Sequence, residues 1–308
     1  MQLSTEMFKP LQYKVVQEDL VRPSTTYWQD AWRRLKKNPL AMASLALIIF
    51  IILLAVFGPM LSPYSYAEQD FARKNQGPST AHWFGTDGLG RDLFTRVLHG
   101  ARISLSIGFM ASLVTLFGVL YGGISGFAGG WLDNVMMRFV DIMYSIPFLL
   151  WVILMMVYLK EILPENAGLI SMYIALGLVY WLPMARIVRG QILSLKEQEF
   201  VLAAHTIGAP KTRILLRHLI PNCIGPVIVT ATLTIPEAIF TEAFLSFIGL
   251  GVSAPRASWG TLASDALVSL KSYPHLLFFP AAAICITLLA FNFLGDGLRD
   301  ALDPKMRK

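Results

Sequence analysis

Charged residues are scarce in this sequence. Asp, Glu, Lys and Arg make up 15% of its 308 residues, whereas soluble domains carry roughly 25%. Hydrophobic residues make up 55%, and the mean hydropathy is +0.56. This composition excludes an ordinary soluble domain and indicates an all-α polytopic membrane protein. The net charge of +6 then reflects membrane topology, and we expect no nucleic-acid partner.

Cysteine and histidine are also rare. The two cysteines, Cys223 and Cys285, both fall in predicted membrane spans, where lone thiols are typical core residues. The five histidines are scattered, and none has a partner at metal-ligand spacing. We therefore expect neither a disulfide nor a bound metal.

The sequence lacks a recognisable nucleotide-binding or catalytic motif. The block 85–92 is rich in glycine, but Arg91 stands where a phosphate loop needs Lys. Asp92 likewise stands where such a loop needs a Ser or Thr hydroxyl. The spans contain no nucleophile with a base and no His-Glu-x-x-His helix. We predict that the chain is not an enzyme and holds no cofactor of its own.

Long apolar runs, in contrast, are abundant. A membrane-spanning helix needs about 20 apolar residues, and six charge-free windows approach or exceed that length. They are 40–61, 103–132, 142–159, 166–185, 219–236 and 276–295. With the N-terminus inside, 18 Lys and Arg residues face the cytoplasm and 8 face outward. This bias predicts six transmembrane helices with both termini in the cytoplasm.

These windows divide the chain into five parts. They are a cytoplasmic segment with an interfacial helix (1–39), the first span (40–61), an extracytoplasmic loop (62–102), a core of five spans (103–295) and a cytoplasmic tail (296–308). The core includes a cytoplasmic loop over 186–218, which is too short for a nucleotide-binding domain. It can hold two or three short helices.

The cytoplasmic loop carries the most informative pattern. Glu199 begins a predicted helix that runs to residue 207, and Gly208 is placed to end it. A second helix is predicted from Lys211, and Pro221 is tolerated in the first turn of the next span. The pattern therefore predicts a helical insert on the cytoplasmic side.

Several side chains of this insert are suited to a protein partner. Ala203 and Ala204 predict a flat surface that a partner backbone can approach closely. Ala204 and Ile207 are predicted to share one helix face. Arg213 and Arg217 can pair with acidic groups or with lipid headgroups. Because the chain has no motor of its own, we predict that an energy-supplying partner docks here.

This insert resembles the EAA loop of permease subunits in binding-protein-dependent ABC importers. The family pattern is Glu-Ala-Ala, three residues, Gly, nine residues, Ile, one residue and Leu-Pro. Ala203, Ala204, Gly208 and Pro221 match it, and Ile220 stands for the Leu. The agreement therefore covers the small residues and the proline of the pattern.

Two positions depart from the pattern. Leu202 occupies the place of the Glu, with the acid moved to Glu199, and His218 replaces the Ile. These departures resemble the dipeptide, oligopeptide and nickel branch of the family. Further segments resemble the C-type subunit of that branch, namely 82–96, 100–105, 242–251, 257–260 and 295–304. The resemblance extends over residues 28–308.

The resemblance implies a type I ABC importer permease in the bacterial inner (cytoplasmic) membrane. It further implies a heterodimer with a B-type permease, two ABC ATPase subunits that bind ATP and Mg²⁺, and an extracellular peptide-binding protein. The coupling residues carried over are Glu199, Ala203, Ala204, Gly208, Arg213, Arg217 and Pro221. The implied cargo is an oligopeptide, with dipeptides and nickel or other metal chelates as alternatives. An ion-coupled secondary transporter is the alternative from another class.

Four glycines recur every fourth residue near the second span: Gly118, Gly122, Gly126 and Gly130. Their spacing predicts a stripe of missing side chains on which a neighbouring helix packs backbone to backbone. The sequence does not identify that neighbour.

Three charged residues are candidates for a pathway or a gate. Asp87 and Arg91, in the outer loop, predict either a polar turn before a helix or a gate or receptor contact. Glu237 and Glu242 are the only acids in the apolar run 219–255. We place Glu237 at the outer membrane interface and keep pore lining or gating open for Glu242.

Overall fold

The computed structural model describes residues 26–164 and 167–303 of the chain. The predicted segments 1–39 and 296–308 therefore lie partly outside the described residues. Within the described ranges every regular element is a helix, apart from one isolated bridge between Thr86 and Asp92. This is the all-α architecture that the sequence predicts.

The first two helices are joined by a single capping residue. Helix α1 (Tyr27–Lys37) begins at Thr26, whose side chain accepts a hydrogen bond from the backbone N–H of Gln29. Asn38 then accepts two backbone N–H groups at the start of α2 (Pro39–Leu61). A helix was predicted where α1 lies, and its position at the membrane surface stays a prediction.

Five helical segments are long and apolar enough to cross a membrane. They are α2, α3 (Leu93–Ala128), α6 (Gly168–Leu195), the run Lys211–Phe247 and α11 (His275–Leu302). Between α3 and α6 lie α4 (Gly130–Ser145) and α5 (Phe148–Ile162), which are bent by 82° to each other. Counted as one broken span, this pair completes the six spans that the sequence predicts.

The break between α4 and α5 coincides with Pro147. Proline has no backbone N–H to donate, and its ring obstructs the preceding turn of a helix. The sequence predicts a kink here, and the structure has a full interruption in which Pro147 caps α5. Pro183 and Pro236, which lie at or near the ends of the charge-free windows 166–185 and 219–236, are typical of helix ends but instead lie inside helices.

The run Lys211–Phe247 changes its helical winding along its length. It passes from α8 (Lys211–Arg213) through a π-helical turn (Ile214–Leu219) and a 3₁₀ turn (Ile220–Cys223) into α9 (Ile224–Phe247). Pro221 lies inside this run rather than at the start of a separate span, which corrects the prediction. The wider π turn before it is a known way to accommodate a disrupted hydrogen-bond ladder.

Two short helices and one distant contact complete the bundle. Helix α7 (Glu199–Thr206) follows α6, and α10 (Trp259–Ala266) lies between α9 and α11. At the chain ends, the Tyr27 hydroxyl donates a hydrogen bond to the carbonyl of Leu302 at 3.2 Å. Helix α1 thus packs against the end of α11.

The glycine stripe faces α6. A Cβ added at Gly118 or Gly122 would lie closer than 3.0 Å to backbone atoms of α6, including the carbonyl oxygens of Trp181 and Ala185. At Gly126 it would lie 2.9 Å from the carbonyl oxygen of Arg189. Such contacts allow two helix backbones to approach closely. Helix α6 is therefore the neighbour that the sequence does not identify.

Gly130 does not belong to this stripe, which corrects the fourth predicted position. Helix α3 ends at Ala128, and Gly130 starts α4 with a φ of +57°. A Cβ added there would meet no atom within 4 Å. The four-residue spacing of the glycines continues to Gly130, although helix α3 already ends at Ala128.

We predict that Gly122→Ala destabilises the protein by about 1–3 kcal/mol, because the new methyl group forces apart two packed backbones. Gly190→Ala is the matched control, since Gly190 lies in α6 with open space around its Cα. The control should be neutral or slightly stabilising. Thermal denaturation of the purified variants measures both effects. Equal melting temperatures would contradict the close packing of α3 on α6.

Candidate functional site

Helix α7 rests on the ends of two spanning segments. Val201 and Ala204 are buried and belong to one hydrophobic cluster with residues of α6, including Val188 and Ile192. The same cluster contains Ile214, Leu215 and Leu219 of the π-helical turn. A force applied to α7 therefore acts on both α6 and the run that leads into α9.

The other side of α7 presents apolar side chains to solvent. Ile207, directly after the helix, is 82% exposed, and Leu202 is 56% exposed. Ala203 is exposed beside them, whereas Ala204 is only 4% exposed. The predicted flat surface of two alanines is thus wrong, because Ala204 faces the bundle. It is also wrong that Ala204 shares a face with Ile207.

Gly208 sets the direction of the chain after α7. Its φ of +76° lies in the left-handed region that favours glycine, and its amide donates to the carbonyl of His205 at 3.0 Å. Space is open around its Cα. The turn holds Ile207 on the outer surface of the bundle.

The charged residues predicted for this insert all lie on its surface. Glu199 starts α7 at the helix N-terminus, where an acid is favourable. Arg213 and Arg217 are exposed on the next helical run, and Pro221 is exposed beyond them. The structure thus gathers exposed apolar and basic groups around a short helix, which is typical of a protein-docking surface.

A cavity of about 360 Å³ opens at the break between α4 and α5. Helices α6 and α9 close its other sides. Its lining residues are largely apolar or aromatic: Met143, Tyr144, Ile146, Pro147, Phe148, Val179, Tyr180, Leu182, Pro183, Glu237, Phe240 and Thr241. Helix α6 and the helical run that leads into α9 thus share the hydrophobic cluster of α7 at one end, and α6 and α9 line the cavity along their length.

Glu237 contributes the one acidic side chain of this wall. It lies ten residues before the end of α9 at Phe247, or about 15 Å along the helix. Its side chain is exposed in the chain and opens into the cavity. Glu237 therefore lines the cavity, and its predicted place at the outer membrane interface stays a prediction.

Glu242 occupies the opposite kind of environment. Its side chain is 0% exposed and accepts hydrogen bonds from three serine hydroxyls. Ser104 of α3 donates at 3.0 Å, Ser246 of α9 at 2.8 Å and Ser258, the cap of α10, at 2.5 Å. Glu242 therefore links three elements and does not line the cavity at the break between α4 and α5, which corrects its candidacy as a pathway residue.

Sequence reasoning favoured the interface for Glu237 and left a pathway role open for Glu242, because it measured only depth along the helix. Five residues of an α-helix rotate by about 500°, which is about 140° more than one full turn. Glu237 and Glu242 therefore point in different directions. The serines that enclose Glu242 lie far from it in sequence, except for Ser246 four residues on. That neighbour was the only local signal of its burial.

Basic residues of α6 hold α4 in place. Arg189 makes two hydrogen bonds of 2.7 Å to the carboxylate of Asp133, which also accepts the hydroxyl of Ser125 at 2.5 Å. One turn nearer the cavity, Arg186 contacts Asp141 at 2.7 Å. These pairs were missed in the sequence, where the acids and arginines are more than 40 residues apart.

The outer-loop residues form an internal cluster. One carboxylate oxygen of Asp87 accepts the backbone N–H groups of Leu89 and Arg91, and the other accepts the Arg91 side chain at 2.6 Å. Arg91 is 9% exposed, so it is no freely accessible contact or gate. The cap of α3 is Asp92, which accepts the backbone N–H of Thr95 at 2.8 Å. Asp87 thus shapes the turn, which is one of the two predicted alternatives.

A neighbouring acid completes this outer cluster. Burial raises the pKa of Asp265 in α10 above its ordinary value, opposed by the charges of Arg96 and Arg91. Arg96 also lies 3.5 Å from Asp87. Opposite charges thus tie the outer loop to α3 and α10.

Within residues 26–164 and 167–303, no group of three or more His, Cys, Asp or Glu side chains is arranged to hold a metal ion. Cys223 is buried, Cys285 is exposed, and both are free thiols. The geometry is that of a helical bundle with a docking surface and a cavity.

We predict that Glu242→Leu destabilises the protein by about 2–3 kcal/mol, because three buried hydroxyls lose their acceptor. Glu237→Leu is the comparison in the same helix, and it should leave the melting temperature close to that of the unmodified protein. Thermal unfolding in detergent measures the difference. An equal loss in both variants would contradict the two environments described for these acids.

The sequence matches two known families. Residues 118–308 match the family described as "Binding-protein-dependent transport system inner membrane component". Residues 26–78 match the family described as "N-terminal TM domain of oligopeptide transport permease C". The first match covers more than half of the chain and includes α7, the cavity and Glu242.

Relatives of similar length extend this likeness over nearly the whole chain. The oligopeptide transport system permease protein OppC of Bacillus subtilis (strain 168) is 54% identical over 94% of each chain. The dipeptide transport system permease protein DppC of the same strain is 52% identical, over 100% of this chain and 95% of the relative. The glutathione transport system permease protein GsiD of Escherichia coli O6:K15:H31 (strain 536 / UPEC) is 40% identical over 95% and 94%. The chain therefore belongs to the inner membrane components of binding-protein-dependent transport systems.

Proposed function

We propose that this chain forms half of the translocation pathway of an ATP-driven importer for oligopeptides. Its partner in the membrane would be a B-type permease, and two ABC ATPase subunits would bind ATP and Mg²⁺ and dock on α7. An extracellular peptide-binding protein would deliver the cargo. The chain itself carries out no catalysis and holds no cofactor in this proposal.

The observation that carries the proposal is the position of α7. Its inner residues Val201 and Ala204 pack on α6 and on the π-helical turn, while Leu202 and Ile207 remain exposed. Exposed apolar groups of this kind are typical of a protein contact. A partner that moves α7 would shift α6 and α9, and both line the cavity.

The irregular winding before α9 supports this transmission. The π and 3₁₀ turns between Ile214 and Cys223 interrupt regular α-helical hydrogen bonding next to α7. Such stretches often serve as hinges within long helices. The close packing of α3 on α6 would make those two helices move together.

The proposed cargo rests on the relatives and on the cavity. Their names include oligopeptide, dipeptide and glutathione transport, all of which concern peptides or a peptide-like compound. An apolar cavity with few fixed charges fits side chains of varied chemistry. Dipeptides stay an alternative cargo on the same grounds, and metal chelates on the earlier family resemblance alone.

The proposal is tested in liposomes that contain this chain, its partner permease, the ATPases and the receptor. We expect uptake of a labelled tripeptide that requires ATP and the receptor. Uptake driven by an ion gradient without ATP would contradict the proposal and favour a secondary transporter.

A second test addresses the docking surface. We predict that Ile207→Glu lowers retention of the ATPase subunits roughly tenfold or more, because it places a charge in an apolar contact. Val268→Glu is the control, since Val268 is 96% exposed but lies between α10 and α11, away from α7. Co-purification of tagged subunits measures retention. Normal retention in Ile207→Glu would show that the ATPases dock elsewhere.

A further inference from the structure

Glu237 is the one lining residue of the cavity that has a carboxyl side chain. Within the described ranges, no donor or cation contacts its carboxylate. Glu242, five residues on, shows how this bundle satisfies a structural acid, with three hydroxyl donors. Glu237 has no such protein donors, so its exposed carboxylate can accept hydrogen bonds from a ligand in the cavity.

The charge that faces the cavity is negative. Arg186 lies near its edge, with its guanidinium 4.0 Å from the ring centre of Tyr144. That guanidinium is already paired with Asp141 at 2.7 Å. The positive charge is therefore compensated, whereas the negative charge of Glu237 is not. The cavity is suited to a cation and not to a carboxylate.

Aromatic rings around the acid also favour a cation. Tyr144, Phe148, Tyr180 and Phe240 share the wall with Glu237, and ring faces attract ammonium groups. The cavity volume of about 360 Å³ is near the small end of the range of about 300–1,000 Å³ for ligand sites. It is large enough for a terminal residue or a side chain of a peptide.

We propose that Glu237 binds a primary ammonium group of the cargo as it passes through the cavity. The ammonium can belong to the amino terminus of a peptide or to a lysine side chain, which share this chemistry. The inference rests on the proposed function and adds a specific contact to it. A carboxylate that accepts from an ammonium forms a strong, charge-assisted hydrogen bond.

The test uses the complete reconstituted transporter with its receptor. The cargoes are Ala-Leu-Ala and its des-amino analogue, each supplied at a concentration that gives equal receptor occupancy. We expect the unmodified transporter to prefer the amino form roughly tenfold, and Glu237→Gln to bring that ratio close to one. Glu161→Gln should keep the original ratio, because Glu161 is exposed on α5 and does not line the cavity.

The ratio of amino to des-amino cargo uptake distinguishes a loss of cargo binding from poor assembly of the transporter. A variant that merely assembles poorly carries both cargoes more slowly and keeps the ratio, and that result overturns the inference. So does a ratio of one in the unmodified transporter. A partner subunit that already pairs with Glu237 would also leave the ratio unchanged.

A third cargo distinguishes the two sources of the ammonium. Des-amino Ala-Lys-Ala carries only the side-chain ammonium. If its transport advantage over des-amino Ala-Leu-Ala depends on Glu237, a lysine side chain suffices. If des-amino Ala-Lys-Ala has no such advantage, while Ala-Leu-Ala is still preferred over its des-amino analogue, the ligand of Glu237 is the amino terminus of the peptide. If the unmodified transporter carries none of these peptides with ATP, the proposed function itself fails.

Discussion

The contact between α3 and α6 is the constraint on which the rest of the bundle depends. Carbonyl oxygens of α6 lie where side chains of Gly118 and Gly122 would otherwise be. In a membrane the hydrophobic effect does not drive helices together, because lipid is as apolar as the helix surface. Close packing of the two backbones supplies the attraction between the helices instead. Helix α6 is thereby fixed, and α4 is fixed to it in turn through Asp133 and Arg189. The cavity exists because α5 cannot follow the direction of α4.

The two acids of α9 show how a single helix can hold carboxylates in two different environments. Glu242 is enclosed by hydroxyl groups from α3, α9 and the start of α10, so it ties these three helices together. Glu237 points towards the break in α4 and α5. Both carboxylates lie within one apolar run, but they point in different directions around the helix. The environment of each acid therefore depends on its direction around the helix as well as on its depth.

The sequence predicts the spans, α7 and the glycine stripe because each has a local cause. Apolar length determines a span, and glycine at position 208 ends a helix. What it could not predict depends on partners remote in the chain. The burial of Glu242 needs Ser104 and Ser258, and the inward side of Ala204 needs Ile214. Helix ends were also misplaced, since α3 begins before its charge-free window and α6 continues beyond its own.

The hydrogen bond from Tyr27 to Leu302 joins the first described helix to the last. Gly297 of α11 likewise lies against Ala41 of α2. During synthesis the chain emerges from its N-terminus onward, so α1 and α2 are made before their neighbour α11 has been translated. The nascent bundle stays open on one side until the ribosome has nearly finished. Maturation of the subunit is thus governed by its final segment, and a chain that stops early leaves its beginning unsupported.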